Sequence, residues 1–280
     1  MTLLDSAPPS VADPASPTPT RPRRAGSLRA PLVGIAVTLV LAELLPRAGL
    51  IGGDALPPLS SVVAELVRQL GDSTLWEALG QTMRTWAVGL VLAVTGGVVV
   101  GVLIGLAPVL RELTASTVEF LRPIPSVALI PAVILLFGTG YQSGVVLIVY
   151  AGFWQVLVQV LYGVQDIDPV AEETARSYHA GPWALVRHLV WPTALPFVFT
   201  GVRLAASVAL VLAITGELVI GTPGIGSAIA VAQSSGATTV TFALVVLTGV
   251  LGVLVNVAFR AAERSLLSWH PSVRRAGGAR

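Results

Sequence analysis

Long apolar runs separated by short polar blocks dominate the hydropathy pattern of this chain. No charged residue occurs between Thr85 and Leu110, and none occurs between Pro123 and Gln165. A helix needs about 20 apolar residues to cross the core of a bilayer. The first run therefore predicts one span, whereas the second is too long for a single helix. The turn-forming sequence GTGYQSG, Gly138 to Gly144, divides it into two predicted spans.

Three further apolar runs complete the pattern. They are Pro31 to Leu45, Pro192 to Ile220 and Val240 to Phe259. The first is short and contains Glu43, so the core of a signal peptide is an alternative to a span. We favour a span because no small-residue cleavage site follows it. The pattern predicts an all-α polytopic membrane protein with about six transmembrane helices.

Polar segments mark the ends of this domain and one region outside the membrane. Residues 1–27 are rich in Pro, Ser, Thr and Ala and predict a disordered cytoplasmic tail. Residues 28–270 form the predicted membrane domain, and 271–280 form a second cytoplasmic tail. Between Leu50 and Arg84 the chain is polar and turn-rich. The sequence LPPLSSVVAELVRQL predicts a helix there, capped by Ser60 or Ser61.

The distribution of arginine predicts which side of the membrane each polar segment occupies. With a cytoplasmic N-terminus, thirteen arginines lie on the inner side and three on the outer side, while Arg203 lies within a span. Basic residues concentrate in cytoplasmic loops, so both termini are expected to be cytoplasmic. The inner arginines are Arg21, Arg23, Arg24, Arg29, Arg111, Arg122, Arg176, Arg187, Arg260, Arg264, Arg274, Arg275 and Arg280.

Composition then excludes several kinds of chemistry. All 17 basic residues are Arg, and a nucleotide-binding P-loop requires a Lys, so the chain cannot contain one. The absence of Cys excludes thiolate catalysis, disulfides and cysteine-ligated metals. The pI near 9.5 does not indicate nucleic acid, because the arginines cluster beside membrane segments. We therefore expect no nucleotide-binding P-loop, no cysteine chemistry and no nucleic-acid partner.

A charged block, EETARSYHAGPWALVRHLVWPTALP, stands between two apolar runs on the predicted inner side. Asp168 and Pro169 are typical of a helix start, as N-cap and first helical residue, and Glu172 and Glu173 follow near the positive end of the helix dipole. Ala171, Ala175 and Tyr178 are spaced to form an apolar stripe. This segment is expected to end near Gly181, before Pro182.

A second short helix is expected to follow. It would place Trp183, Val186 and Val190 on one face, with Arg187 and His188 turned away, before Pro192 and Pro196 redirect the chain into the membrane. A solvated connector is the simpler interpretation of such a loop. We favour a docking surface because a merely polar connector has no reason to keep an apolar stripe.

The charged block resembles the EAA loop of the membrane subunits of bacterial ABC importers. The upstream sequence LRPIPSVALIPAVILLFGTG and the downstream sequence GELVIGTPGIGSAIAVAQ resemble the branch that handles nitrate, sulfonates and taurine. The resemblance covers about residues 55–270. Three motifs that occur in the same order as in the family identify it more specifically than any single motif does. The resemblance implies a membrane permease whose loop is a coupling helix seated in a separate ATPase subunit.

The match to the EAA pattern is close but incomplete. Glu173, Ala175 and Arg176 occupy its Glu-Ala-Ala-Arg stretch, Thr174 replaces the first alanine, and Trp191-Pro192 replaces Leu-Pro. The Gly position of the family falls on His179, four residues before Trp183. A left-handed backbone costs His more than Gly, so Gly181 is expected to take over that turn. We expect His179 to have a structural or interface role rather than to bind metal or sense pH.

The resemblance also implies the partners. ATP would be bound by the ATPase subunit, an extracytoplasmic solute-binding protein would deliver substrate, and a second copy of the permease would complete the pathway in the inner membrane. A gradient-driven secondary carrier and a scaffold without transport are alternatives. Small oxyanions are the first substrate candidates, followed by neutral heterocycles. No cluster of arginines within the predicted spans supports an anion cage.

Two charged residues lie inside a predicted span away from its ends, Arg203 and Glu217. Their separation is about 21 Å along a helix, too far for a direct pair, although both fall on one face. They either contact the pathway or its gates, or have structural roles. In the structural interpretation Arg203 reaches the inner headgroups and Glu217 caps the outer helix end.

Overall fold

The computed structural model describes residues 29–49 and 56–266, so the predicted tails 1–27 and 271–280 lie outside the described residues. The helices are α1 (Arg29–Arg47), α2 (Leu59–Leu70), α3 (Ser73–Leu106), α4 (Pro108–Leu121), α5 (Ile130–Phe137), α6 (Tyr141–Gln165), α7 (Pro169–Ser177), α8 (Pro182–Leu185), α9 (Trp191–Ile220), α10 (Ile225–Ser234) and α11 (Thr238–Leu266). A 3₁₀ turn, Ser126–Leu129, precedes α5, and a π turn, Val186–Val190, precedes α9. The predicted all-α class is confirmed.

Five of these segments are long and apolar enough to cross a membrane as single helices, with α8, the π turn and α9 counted as one. A sixth crossing would be the pair formed by α4 and the segment Ser126–Phe137, which are bent by 82°. The packing of α3 against α6 shows that this pair does cross. A Cβ added to Gly89, Gly97 or Gly101 of α3 would contact Ile148, Val156 or Val160 of α6, respectively. The two residues of each pair are always 59 positions apart in the sequence.

A constant offset means that α3 and α6 run parallel. The chain must therefore return across the membrane between them, and α4 with α5 is the connection that does so. Helix α9 runs antiparallel to α6, because Gly152 faces Ala205 and Gly163 faces Ala194. Helix α11 runs antiparallel to α9, with Arg203 contacting Glu263 and Gly252 close to Leu210. Six crossings follow within residues 29–49 and 56–266, as predicted, with α3, α6 and α9 enclosing most of the core.

The third span differs from the prediction. One helix was expected to begin at Pro123. In the structure the polar residues from Arg111 to Glu119 already belong to α4, and the helix breaks at Arg122–Pro125 instead. Pro123 and Pro125 have no backbone N–H to continue the helical hydrogen bonds, so the helix ends although Arg122 itself still has helical dihedral angles. The span is therefore two short helices.

The prediction that Ser60 or Ser61 caps α2 is wrong. The helix begins at Leu59, after Pro58, and its cap makes no side-chain hydrogen bond. The carboxylate of Glu43 on α1 instead accepts hydrogen bonds from the backbone N and the Oγ of Ser60, both at 2.9 Å. Helix α3 begins at Ser73 rather than Thr85, because Asp72 caps it by accepting from Thr74 N. The helix extends beyond its charge-free part.

Glycines at four-residue spacing allow α3 and α6 to approach closely. A Cβ on Gly97, Gly101 or Gly105 would lie 2.7 to 2.8 Å from the nearest atom of the valine opposite it on α6. Small residues at this spacing are typical of tightly packed membrane helices. We expect Gly101→Ala to destabilise the folded state by about 1 to 3 kcal/mol, since the overpacked interface must separate.

Thermal unfolding in detergent measures this effect. The matched control is Gly249→Ala on α11, where an added Cβ meets no atom within 4 Å. Equal melting temperatures for the two variants would contradict the packing of α3 on α6.

Candidate functional site

The charged block folds as predicted at its first residues. Asp168 caps α7, and its Oδ1 accepts a hydrogen bond from Val170 N at 2.9 Å. Pro169 is the first residue of the helix, and Glu172 lies in its first turn. The helix continues to Ser177. Its start is therefore fixed by local sequence, independently of any partner.

The end of α7 corrects one prediction. His179 itself has the left-handed conformation, with φ of 57°, whereas Gly181 has an ordinary φ of −64°. Ala180 N donates to Ala175 O at 3.0 Å, and His179 N donates to Arg176 O at 2.9 Å. These two bonds form the Schellman motif that often ends a helix. His is one of the non-glycine residues enriched in this conformation, so no glycine is needed.

The second helix of the block also differs from the prediction. It is not a separate short helix, because α8, the π turn and α9 run continuously for 39 residues, Pro182 to Ile220. Pro192 falls in the first turn of α9, immediately after the π turn Val186–Val190. A π turn supplies the extra residue that lets the backbone pass a proline without ending the helix. Any displacement of α8 is thus transmitted directly to a membrane-spanning helix.

The segment from Asp168 to Val190, here called the coupling loop, presents an exposed apolar surface. Val170 is 69% exposed, Tyr178 84% and Trp183 74%. Tyr178 and Trp183, the aromatic members of the two predicted apolar stripes, are the most exposed residues of their stripes. Val186 is half-buried and Val190 is buried, whereas Trp183, predicted on the same face, is exposed, as are Arg187 and His188. Exposed aromatic residues beside charged ones are typical of a surface that binds another protein.

The acidic residues of α7 divide between two faces. Glu172 is half-buried, pairs with Arg176 at 2.5 Å, and lines a cleft of about 500 Å³ beside the C-terminal ends of α3 and α6. Ala171 and Ala175 are half-buried like Glu172. Glu173 is exposed. The half-buried residues Ala171, Glu172 and Ala175 anchor the loop to the membrane domain, and Glu173 remains available to a partner.

The two charged residues inside α9 have different partners. Arg203 Nη1 donates to Glu263 Oε2 of α11 at 3.2 Å, so its charge is compensated within the helix bundle rather than by headgroups. Glu217 is 2% exposed. Its Oε2 accepts from Thr82 Oγ1 and from Gly226 N, both at 2.9 Å. Glu217 is thus a helix cap, but for α10 rather than for its own helix.

Close packing surrounds the Glu217 carboxylate. A Cβ on Gly224, whose φ is 158°, would lie 2.2 Å from the carboxyl carbon of Glu217. A Cβ on Gly226 would lie 2.2 Å from Ile214 O. Thr82 Oγ1 also accepts from Ile225 N at 2.9 Å, so α3 helps to cap the same helix. The glycines of GTPGIG let α10 begin directly on α9 and α3.

A cleft that the sequence prediction missed lies between α4 and α6, with charged and polar side chains among its apolar lining. It has a volume of about 610 Å³. The α4 side is lined by Arg111, Thr114, Ala115, Val118, Glu119 and Arg122. These residues are spaced as one face of a helix, a pattern visible in the sequence once 108–121 is recognised as helical. Gln155, Val158, Leu161, Tyr162 and Gln165 of α6 line the opposite side.

Residues 94–268 match the model of a family described as the binding-protein-dependent transport system inner membrane component. The chain belongs to this family. The coupling loop lies inside the matched range and carries the EAA-like stretch from Glu173 to Arg176. The permease motifs predicted from the sequence are therefore those of a true family member.

Individual relatives agree with this assignment. The taurine transport system permease protein of Escherichia coli is 30% identical over 86% of this chain and 89% of its own length. A putative aliphatic sulfonates transport permease of Bacillus subtilis is 26% identical over 85% of this chain and 86% of its own length. The permease is thus a multi-pass membrane protein of a bacterial transport system.

A solved structure shows the same fold. The inward-facing MetNI methionine ABC transporter superposes with a TM-score of 0.60 and 22% identity, covering 69% of this permease and 95% of that chain. The fold is that of a type I ABC importer permease.

Proposed function

We propose that this permease is the membrane-spanning subunit of an ATP-driven importer for a small solute of the sulfonate, taurine or nitrate kind. An extracytoplasmic binding protein delivers the solute, and two copies of the permease form the pathway. A separate ATPase subunit binds and hydrolyses ATP, so the permease itself catalyses no bond chemistry. The relatives named for taurine and aliphatic sulfonates support this substrate class.

The observation that carries the proposal is the exposed coupling loop joined rigidly to a span. Its outward face holds Glu173, Tyr178 and Trp183, while α8 continues without interruption into α9. A partner that displaces this loop would move the inner end of α9 in the same direction. We infer that nucleotide-driven closure of the ATPase subunits pulls on the loop and reorients the spans.

The surface of α4 supports a second permease copy. Arg111, Glu112, Glu119 and Arg122 are exposed, and none belongs to an ion pair within the described residues. Charged side chains at membrane depth face a bundle interior or water rather than lipid. A second copy packed on this side, enclosing a water-filled pathway, would supply that environment.

A gradient-driven carrier is the alternative, and reconstitution separates the two mechanisms. The permease is expressed with its neighbouring ATPase and binding-protein genes, purified in mild detergent and placed in liposomes without an ion gradient. We expect the ATPase subunit to co-purify and taurine or nitrate uptake to require ATP. Purification without an ATPase, together with uptake driven by a proton or sodium gradient, would contradict the proposal.

Cysteine labelling tests the orientation, since the natural permease contains no Cys. We expect Ser177→Cys in the coupling loop to react with an impermeant maleimide only from the cytoplasmic side, and Ser235→Cys after α10 only from the outside. Labelling of intact cells and of inverted vesicles measures both. The reverse accessibility would place the termini outside and the loop away from any cytoplasmic ATPase.

A further inference from the structure

Arg122 lies deep within the membrane domain. The sequence prediction assigned it to an inner loop. In the structure the carbonyl of the preceding residue, Leu121, accepts a hydrogen bond from Tyr150 Oη at 2.8 Å. Tyr150 is about 14 Å along α6 from its first residue and about 22 Å from its last. Because the bilayer core is about 30 Å thick, this depth is well inside it.

The break in the third span places Arg122 at this depth. Helix α4 ends at Leu121, and the prolines at 123 and 125 prevent it from continuing. The guanidinium lines the same cleft as Gln155 and Tyr162 of α6. Arg111 lines the cleft as well, about 16 Å nearer the start of α4. The cleft therefore extends from the first turn of α4 and the last residue of α6 to the middle of the membrane domain.

The net charge of the cleft favours an anionic ligand. Its charged residues are Arg111, Arg122 and Glu119, which leaves a net charge of +1. Arg122 forms no ion pair within the described residues. A guanidinium at this depth is costly unless water or a counter-charge reaches it. A transient anion would supply that counter-charge, and guanidinium binds sulfonate-like oxyanions with two parallel hydrogen bonds.

We propose that the cleft between α4 and α6 is the oxyanion-binding part of the translocation pathway, and that Arg122 binds the anionic group of the solute there. Gln155 and Tyr162 face the cleft from α6 and supply further polar contacts. Arg111, toward the cytoplasmic end in the proposed orientation, offers a second cation along the exit route. This inference rests on the proposed function and assigns its substrate chemistry to particular residues.

Charge replacement at residue 122 tests the inference in the full transporter. The permease variants are reconstituted with the ATPase and binding protein, and ATP-driven uptake of labelled taurine and nitrate is measured. We expect Arg122→Gln to lower uptake about tenfold or more, because a charged hydrogen-bonded contact is lost. Arg122→Lys should retain more of it. Arg260→Gln, on the exposed inner end of α11, is the control and should leave uptake unchanged.

Chemical rescue separates a binding role from a structural one. Arg122→Cys is treated with a methanethiosulfonate that adds an ammonium group or with one that adds a sulfonate, and Arg260→Cys receives the same treatments. We expect the ammonium reagent to restore uptake at residue 122 and the sulfonate reagent to leave it low. Restoration by both reagents, or uptake by Arg122→Gln equal to the wild type, would overturn the role of Arg122.

The wild-type complex distinguishes failure of this inference from failure of the proposed function. ATP-driven uptake of taurine or nitrate by the wild type that persists in Arg122→Gln overturns the binding site alone. ATP-driven uptake of an uncharged pyrimidine, with neither anion transported, overturns the substrate class and the site together. Absence of any ATP-driven uptake by the wild type overturns the proposed function as well.

Discussion

Replacing Glu173 by Arg is expected to abolish ATP-driven uptake while leaving the permease in the membrane at wild-type levels. Glu173 is exposed on α7, with no contact that the membrane domain needs, so folding and insertion should not change. Its carboxylate lies on the outward face of the coupling loop, where the ATPase is proposed to dock. Reversing a charge at a protein interface costs several kcal/mol, enough to lower association by about a thousandfold.

The measurement combines uptake, membrane content and co-purification of the ATPase. Asp166→Arg is the matched control, because it reverses a charge on an exposed residue just before the coupling loop. We expect this control to retain the ATPase and most of the uptake. Equal loss in both variants would assign the effect to the general charge of the inner surface, and undiminished uptake by Glu173→Arg would remove the coupling role from the loop.

Replacing Glu217 by Leu is expected to destabilise the permease strongly, whereas Glu217→Gln should fold normally. Leucine fills a similar volume but cannot accept the hydrogen bonds from Gly226 N and Thr82 Oγ1. Gly226 N is then a buried donor without a partner, at a cost of about 1 to 3 kcal/mol, whereas the Thr82 hydroxyl can still donate to Ala78 O at 3.1 Å. The side-chain oxygen of Gln can accept both bonds, as Oε2 of Glu217 does.

Thermal unfolding in detergent measures the difference, which should be about 2 to 10 °C. Uptake by Glu217→Gln then tests the other role predicted for this residue, as a part of the pathway or a gate. Normal stability with normal uptake would assign Glu217 to holding α10 in place. Normal stability with lost uptake would show that the carboxylate itself serves transport. A stable Glu217→Leu protein would contradict the capping arrangement.

The sequence alone determined the membrane spans and the start of α7, because each depends only on residues close together in the chain. Charge-free runs of sufficient length specify the spans, since a bilayer core excludes charge and needs about 20 apolar residues to be crossed. Asp168 followed by Pro169 specifies the start of α7, because the cap and the fixed φ act within one turn. The motifs around the coupling loop likewise identified the family. None of these inferences requires knowledge of which helices touch.

Tertiary structure decided the remainder, because those features depend on residues far apart in the chain. Glu43 caps α2 from another helix, and Glu217 caps α10 across nine residues while Thr82 reaches the same turn from α3. The depth of Arg122 follows from a hydrogen bond between Leu121 and Tyr150, which no pattern in residues 108–122 reveals. Hydropathy reports how apolar a segment is, whereas packing alone determines which polar groups the folded chain brings together.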